Sequence, residues 1–302
     1  MDFGKLEDIS KVDFKLPADN IFTEKVLKEA TQSKPEIFVG PPIWSNPEWV
    51  GVIYPSNAKD KDMLYHYSRQ FNTIELNVTH YQIPSLETIE RWKSSVPEHF
   101  KFCPKFPQII SHERQLLGCD AQTQLFCESI LGLGQNLGTS FLQLSPYFQP
   151  RQLKTLENFI KSLPKNLPLA VEFRHPEWFS NQNIWQKIAK ILHDLGVSTV
   201  MTDVAGRRDV LHQTLTQPNL VLRFVGNGLH PTDYQRVDEW VDKIKTWLEK
   251  GLETAYIFVH CGGTNDFAPE LTYYWIEQLN QKCGLTIKPP KILPRVVQGS
   301  LF

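Results

Sequence analysis

The stretch at residues 169–174 shows the clearest alternation of apolar and polar positions in the chain. With the two-residue period of a β-strand, one face is made of Leu, Val and Phe, whereas the opposite face carries Glu172 and Arg174. Pro168 precedes the stretch and Pro176 closes it before a helical pattern begins, as is typical of a strand that leads into a βα loop. Charges inside a protein are costly unless they pair or bind a ligand. The pattern therefore predicts that this strand forms one wall of a polar pocket.

Short apolar strands alternate with amphipathic helices from Ile37 onwards, which predicts parallel βα units. Eight strands are predicted, at residues 37–40, 73–77, 100–105, 140–144, 169–174, 198–202, 220–225 and 255–260. The predicted helices cover residues 61–70, 86–94, 120–136, 151–163, 183–195, 234–250 and 269–282. Eight such units predict an α/β fold, and specifically a single (β/α)8 barrel, the TIM barrel.

Glycines mark the predicted ends of two helices, Gly196 after the helix at 183–195 and Gly251 after the helix at 234–250. Residues 207–215 are compatible with either a short helix or a loop. The predicted organisation is an N-terminal extension at residues 1–35 with one helix at 23–32, a barrel domain at 36–287, and a short C-terminal tail at 288–302.

Composition excludes several classes of protein. The chain of 302 residues has a formal net charge of −1, so no overall field favours nucleic acid or an anionic membrane, although a local basic patch could still bind nucleic acid. The five cysteines are odd in number and form no C-x-x-C pair, which predicts reduced thiols and neither a disulfide framework nor a zinc site. No signal peptide or membrane span is recognised, which predicts a cytoplasmic protein.

Polar side chains recur at or near the carboxyl ends of the predicted strands, where barrels of this type place their ligand sites. They are Glu75, Asn77, Lys105, Gln143, Glu172, Arg174, Asp203, Arg223 and His260. We expect Lys105, Gln143, Glu172, Arg174 and Arg223, which come from four strands, to converge on one cavity.

Each of these residues also has a structural interpretation. Buried charges can form a satisfied salt-bridge network, although repeated burial of charge at one end of a barrel is an expensive way to gain stability. Cys103 is better explained as core than as a nucleophile. His260 could be a hydrogen-bonded core residue, and the aromatic residues Trp44, Tyr81 and Trp178 could pack a loop instead of contacting a substrate.

Several segments resemble the YecE-like family, the domain of unknown function numbered 72. They are residues 39–44 (VGPPIW), 71–77 (FNTIELN) with Tyr81 and Pro84-Ser85, 100–105 (FKFCPK), 110–113 (ISHE), 142–144 with Pro146, and 171–176 (VEFRHP). The match runs in order from about residue 37 to residue 279 and covers most of the chain. The resemblance implies a TIM barrel without a settled biochemical activity. Glu75, Lys105, Gln143, Glu172, Arg174 and His175 match the family pattern.

The chain departs from that pattern at two loops. It has Gly-Pro-Pro-Ile-Trp at residues 40–44 where many members have Gly-Thr-Ser-Gly-Trp, and its eighth strand ends in Val259-His260-Cys261 where many members carry an Asn-rich turn.

Three kinds of chemistry are compatible with the set of polar residues. A glycosidase would use two carboxylates, but Gln143 and Arg223 stand where many barrel glycosidases place that pair. A metal-dependent hydrolase or endonuclease could use Glu75, Glu172, Asp203 and His260 as ligands, but the interleaved cations would compete with a metal. An enzyme for a small anionic compound uses those cations directly. A non-catalytic anion sensor would need the cations but no acid or base.

The favoured interpretation is a metal-independent hydrolase or lyase without a cofactor, acting on a small phosphorylated or otherwise anionic compound. Glu172 would orient Arg174, Lys105 would meet developing negative charge, and Glu75 or Asp203 would act as general acid or base. The predicted catalytic residues are Glu75, Lys105, Glu172 and Asp203. The predicted substrate-binding residues are Trp44, Asn77, Tyr81, His112, Gln143, Arg174, His175, Arg223 and His260.

Overall fold

The computed structural model of the chain describes residues 4–31 and 34–293. Within these residues the eight strands are β1 (Glu36–Gly40), β2 (Thr73–Leu76), β3 (Lys101–Pro104), β4 (Ser140–Gln143), β5 (Leu169–Glu172), β6 (Ser198–Asp203), β7 (Asn219–Gly226) and β8 (Thr254–Cys261). The prediction of eight strands is confirmed, and each observed strand overlaps its predicted range.

Each predicted helix overlaps an observed one. The observed helices are α1 (Ile21–Lys28), α2 (Met63–Gln70), α3 (Val78–Tyr81), α4 (Leu86–Ser95), α5 (Asp120–Leu131), α6 (Leu153–Ser162), α7 (Glu177–Ser180), α8 (Gln182–Asp194), α9 (Pro231–Glu249) and α10 (Ala268–Cys283). The two short helices α3 and α7 were not predicted. A π-helix at Ile109–Glu113 follows β3, and the segment that sequence left open after β6 forms a 3-10 helix at Ala205–Val210.

The sequence of helix α9 has the apolar spacing and the end signals of an amphipathic helix. Its apolar residues at three-and-four spacing, including Val237, Trp240, Ile244 and Trp247, are all fully buried against the sheet. It begins earlier than predicted because Pro231 occupies its first turn and the side chain of His230 caps it. Gly251 follows the helix with φ +113°, a value that side chains rarely adopt, so the predicted stop is confirmed.

All strand pairs are parallel. Six strands form one sheet in the order β1-β8-β7-β6-β5-β4, and β2 pairs with β3 in a second ladder. Between β3 and β4 there are two isolated bridges, Phe102 with Leu137 and Lys105 with Phe141. The α/β fold with a mainly parallel sheet is therefore confirmed, whereas ladder pairing alone leaves the closed barrel a prediction.

The strands bury two separate sets of side chains. The larger core packs one face of the strands against the helices. A smaller set, which we call the inner cluster, takes side chains from the other face of seven strands: Phe38, Cys103, Phe141, Ala170, Val200, Val221, Tyr256 and Phe258. Because side chains alternate along a strand, the residues two positions after these lie on the same inner face, closer to the carboxyl ends.

The N-terminal segment packs on the rest of the chain. Thr23 donates a hydrogen bond from its hydroxyl to the Gln213 carbonyl oxygen (2.9 Å), and the Asp19 carboxylate accepts from Lys243 and Trp247. Helix α1 begins and ends earlier than predicted, and Gln32, at the predicted end, lies outside the described residues. Residues 1–3 of the predicted extension and 294–302 of the predicted tail lie outside them as well.

Candidate functional site

Arg223 of β7 lies between two buried carboxylates. Its Nε and Nη2 donate to the two oxygens of Glu75, each at 2.9 Å, and its Nη1 donates to Glu172 at 3.3 and 3.4 Å. Burial opposes the charged form of the guanidinium, but the two carboxylates outweigh it and raise the pKa of Arg223 above its ordinary value. One guanidinium therefore joins carboxylates from β2 and β5.

Glu172 is held by two further contacts on the same face. Gln143, its register partner on β4, donates to Oε2 at 2.9 Å, and Arg174 donates from Nε to Oε1 at 2.8 Å. Burial would raise the pKa of Glu172, but Arg174 and Arg223 outweigh burial and lower it to about 2. Glu172 is thus ionised at neutral pH and acts as a counterion.

Glu75 is likewise fully engaged. Besides Arg223, its oxygens accept from Asn77 Nδ2 (2.8 Å) and lie 3.0 Å from His260 Nε2. Burial would raise the pKa of Glu75, yet Arg223 and His260 hold it well below its usual range. The carboxylate is therefore a weak base and not a proton donor at neutral pH.

Lys105 follows β3 and projects from the inner face beyond Cys103. The residue is only 8% exposed, and within the described part of the chain its Nζ has no carboxylate oxygen within 4.0 Å. Burial, together with the charges of Arg223 and Arg174, lowers the pKa of Lys105 from its ordinary 10.5 to about 7. Lys105 is thus a buried amine that exchanges its proton near neutral pH.

Two histidines lie beside Lys105. The rings of His80 and His112 contact each other edge to face at 5.1 Å. Burial, reinforced by the charge of Lys105, lowers the pKa of each imidazole to about 4, so both are neutral at pH 7. The Nδ1 of His80 lies 2.7 Å from the Phe106 carbonyl oxygen, and because that oxygen can only accept, Nδ1 carries the proton.

Two buried polar atoms at this end of the strands lack a hydrogen-bond partner among the described residues: His112 Nε2 and Thr202 Oγ1. Thr202 is the register partner of Arg223 and so shares its face. Buried polar atoms are almost always paired in native proteins, so unpaired ones call for a bound molecule or water. We refer to Glu75, Lys105, Gln143, Glu172, Arg174, Thr202, Arg223 and His260, with the two histidines, as the charged cluster.

Asp203 is not a member of the charged cluster, so its predicted place in the pocket is wrong. Its carboxylate accepts from Arg236 (2.7 Å) and Trp240 Nε1 (2.6 Å), both on α9, and from Arg208. Its register partner is Phe224, a residue of the helix-facing core. Asp203 has the parity of Met201 and faces the helices, whereas Thr202 takes the inward position. Its buried carboxylate holds β6 to α9.

Two other predicted binding residues, Trp44 and His175, make contacts outside the charged cluster, and a third, Tyr81, contacts the cluster at His80. Trp44 packs edge to face on Trp92 of α4 at 5.9 Å, and Tyr81 is 73% exposed beside His80. His175 accepts a hydrogen bond at Nδ1 from the backbone nitrogen of Glu177, which shapes the turn before α7. The other predicted binding residues lie in or next to the charged cluster. They are Asn77, His112, Gln143, Arg174, Arg223 and His260.

Sequence reasoning missed His80 and Thr202. Thr202 could have been found from strand parity alone, since Val200 and Thr202 alternate with Met201 and Asp203. His80 had no such signal, because it lies on the four-residue helix α3, and the direction of a side chain after a strand depends on the loop.

The residues that the structure describes contain no group of three or more His, Cys, Asp or Glu side chains placed to hold a metal ion. None of their helices is both long and apolar enough to cross a membrane. All five cysteines are free, and four of them are buried.

The fold and the charged cluster define an α/β protein that gathers ionised side chains at the carboxyl ends of parallel strands. Residues 38–294 match the family model described as "Protein of unknown function DUF72", so the chain belongs to the DUF72 family. The resemblance found in the sequence is thereby confirmed.

Relatives and solved structures agree with this assignment. UPF0759 protein YecE of Escherichia coli (strain K12) is 33% identical over 287 residues, covering 88% of this chain and 100% of that protein. UPF0759 protein YunF of Bacillus subtilis (strain 168) is 26% identical over 48% of this chain and 52% of its own. Crystal structures of DUF72 family proteins from Enterococcus faecalis V583 and Thermotoga maritima MSB8 superpose with TM-scores of 0.62 and 0.61. Their identities are 21% and 23%, and they cover 85% and 83% of this chain and 100% of their own. At these identities the two structures support the fold alone.

Proposed function

We propose that this protein is a metal-independent enzyme, a hydrolase or a lyase, that binds a small phosphorylated or otherwise anionic compound at the charged cluster. The cluster would lie at the carboxyl-end mouth of a closed (β/α)8 barrel spanning residues 36–287, with residues 1–35 and 288–302 as an extension and a tail.

Three contacts support closure of the barrel where ladder pairing is interrupted. The Asn72 side chain spans β1 and β2, accepting from the Val39 nitrogen (2.8 Å) and donating to the Ile37 carbonyl oxygen (2.9 Å). A Cβ on Gly40 would stand 2.2 Å from the Thr73 carbonyl oxygen, so only glycine permits β1 to approach β2 this closely. The Phe106 nitrogen donates to Phe141 across the gap between β3 and β4 (3.0 Å).

The observation that carries the anion proposal is the buried ammonium of Lys105 without a carboxylate within 4.0 Å. Apart from its histidines, the cluster contains three basic side chains, Lys105, Arg174 and Arg223, and two acidic ones, Glu75 and Glu172. An excess of positive charge in a partly dry site favours an anionic ligand, because its attraction to the ligand is weakly screened there.

The ionisation states assign the roles differently from the sequence interpretation. Glu75 and Glu172 remain ionised and hold the guanidinium groups in place, so neither serves as the general acid. Lys105, with a pKa of about 7, supplies the proton or stabilises developing negative charge. A positioned acid or base of this kind contributes roughly 10²–10⁴-fold to a rate.

Calorimetric titration with inorganic phosphate, pyrophosphate and small carboxylates tests the binding step. We expect at least one of these anions to bind at low salt, and Lys105→Met and Arg174→Lys to weaken binding. Lys101→Met is the matched control: Lys101 lies on the same strand, but its Nζ donates to the Gln135 carbonyl oxygen at the other end of β3. If no anion binds, or if Lys105→Met binds as tightly as the parent, the proposal is wrong.

A panel of phosphorylated and carboxylated compounds then tests for turnover. Loss of turnover by roughly 10²-fold or more in Lys105→Met supports an enzyme. Anion binding without any turnover in the panel would instead favour a non-catalytic anion-binding protein. Metal-dependent cleavage of DNA would favour the endonuclease interpretation.

A further inference from the structure

We propose that the Nζ of Lys105 forms a reversible imine with the carbonyl group of a small anionic aldehyde or 2-oxo acid. This inference rests on the proposed anion site and specifies its substrate class. The neutral amine adds to the carbonyl carbon, so that a C–N bond forms as the π bond of the carbonyl breaks, and the oxygen takes up the proton that the nitrogen gives up. The resulting carbinolamine loses one water molecule to give the imine, so atoms and electrons balance without an oxidant or reductant.

The backbone of Lys105 is fixed on both sides while the tip of its side chain is not. Its nitrogen donates to the Leu76 carbonyl oxygen (3.3 Å), its carbonyl oxygen accepts from the Thr79 hydroxyl (2.7 Å), and the residue bridges to Phe141. Its Nζ makes no hydrogen bond or ion pair within the described residues, although the side chain is more than nine-tenths buried. Such a positioned but uncommitted amine is unusual, because buried lysines are normally paired.

Imine formation needs an unprotonated amine, and the surroundings of Lys105 supply one. Burial and the two guanidinium groups of Arg174 and Arg223 disfavour its ammonium form, which Glu75 and Glu172 partly offset. The lowered pKa leaves a far larger fraction of neutral amine at pH 7 than an exposed lysine has. Depressing the pKa of a lysine by burial and neighbouring cations is a recognised way to make it a nucleophile.

Neighbouring groups match the remaining needs of the reaction. His80 and His112 are neutral at pH 7, and His112 Nε2 is a buried atom without a partner in the described chain. These imidazoles can accept from or donate to the carbinolamine hydroxyl as it leaves. The charges of Arg174 and Arg223 favour a carboxylate or phosphate on the same substrate.

Reductive trapping tests the inference directly. The protein is incubated with sodium cyanoborohydride and each of pyruvate, glyoxylate and glyceraldehyde 3-phosphate, with acetone and propionaldehyde as neutral probes. Intact mass and peptide mapping then locate the adduct. We expect one adduct on Lys105 with at least one anionic probe, formed about tenfold or more faster than with its neutral counterpart, as expected for one favourable ionic contact.

Two variants and one control keep the result interpretable. Lys105→Arg keeps the positive charge but cannot form an imine, and Lys105→Met removes both, so both should lose the adduct. Lys101→Met should keep it. Adducts scattered over exposed lysines, or an unchanged adduct in Lys105→Arg, would overturn the inference.

The outcomes also separate this inference from the proposed function. Phosphate binding that depends on Lys105, without trapping by any anionic probe, removes the imine and leaves the anion site. Trapping at Lys105 at equal rates with anionic and neutral probes contradicts the anion-specific imine and removes support for the anion site.

Discussion

Arg223 and Lys105 are both buried cations, but only Arg223 is neutralised by carboxylates that it touches. The two environments move the two pKa values in opposite directions. Burial disfavours both charges, and Glu75 and Glu172 outweigh it for Arg223, which they touch, but only partly offset it for Lys105. Because the pKa values of the two side chains differ so widely, their roles differ. Arg223 remains charged at every physiological pH, while Lys105 exchanges a proton.

Arg174 is the residue for which binding and stability should separate. Arg174→Lys should weaken anion binding by about 2–4 kcal/mol, because lysine keeps the charge but loses the planar pair of donors. Arg174→Met should leave the free energy of unfolding within about 1 kcal/mol of the parent, since Glu172 keeps its contacts with Gln143 and Arg223. Thermal melts with and without inorganic phosphate measure both effects. If Arg174→Met melts far below the parent while Arg174→Lys binds phosphate normally, Arg174 is a structural ion-pair partner.

Lys105 should make stability depend on pH above neutrality. Its pKa is about 7 in the folded protein and 10.5 ordinarily, so the unfolded chain binds more protons between these values. Folding is therefore penalised below pH 7, and the penalty is relieved as the pH rises, by at most about 1.4 kcal/mol per pH unit. The facing groups are Glu75, Glu172, Arg174 and Arg223, which do not titrate in this range, and two histidines that are already neutral.

Urea unfolding at pH 7, 8 and 9 measures this effect as the difference between the parent and Lys105→Met. The difference should shift in favour of the parent as the pH rises, because methionine cannot titrate. Parallel curves for the two proteins would show that the pKa of Lys105 is not depressed.

In strand β6, two adjacent residues have separate roles. Adjacent residues face opposite layers, so Thr202 contributes to the charged cluster and Asp203 to the contact with α9. Asp203→Asn should destabilise the protein by about 3 kcal/mol, because Arg236 loses its main buried counterion, and should leave phosphate affinity unchanged. Thr202→Val should instead weaken phosphate binding by about five- to tenfold and leave the stability nearly unchanged.

Chemical denaturation and phosphate titration of the two variants provide the measurements, and each variant serves as the control for the other. Loss of phosphate binding in Asp203→Asn at full stability would restore the catalytic role that sequence suggested for this residue.

The strands and loops differ in how well the sequence predicts the position of their side chains. Strand parity correctly brought together Lys105, Gln143, Glu172, Arg174 and Arg223, because the period of a strand is fixed by the backbone. It failed at Asp203, which was placed by its position at a strand end and not by its parity. Trp44 and His175 could not be placed, because loop conformation depends on tertiary contacts that the local sequence does not encode.

For the whole molecule, the alternation of strands and helices predicted the α/β fold, but the packing of the N-terminal segment left no periodic signal. That segment reaches the loop after β6, where the Gly206 nitrogen donates to Gly4 and Arg208 donates to the Phe14 carbonyl oxygen. In the same loop, Arg207 donates to the Arg174 carbonyl oxygen (2.8 Å). These contacts join the extension to the backbone beside the charged cluster, which no pattern of residue types could reveal.

The guanidinium that Glu75 and Glu172 share has a consequence for how this sequence can change over generations. Replacing Arg223 alone leaves two buried carboxylates short of a counterion, and replacing either glutamate alone leaves excess positive charge. A single substitution at one of these positions should therefore destabilise the protein, whereas a compensated double or triple replacement that leaves no unpaired buried charge should be tolerated. In related sequences, substitutions at these three positions should therefore occur together, although the positions lie up to 148 residues apart in the chain.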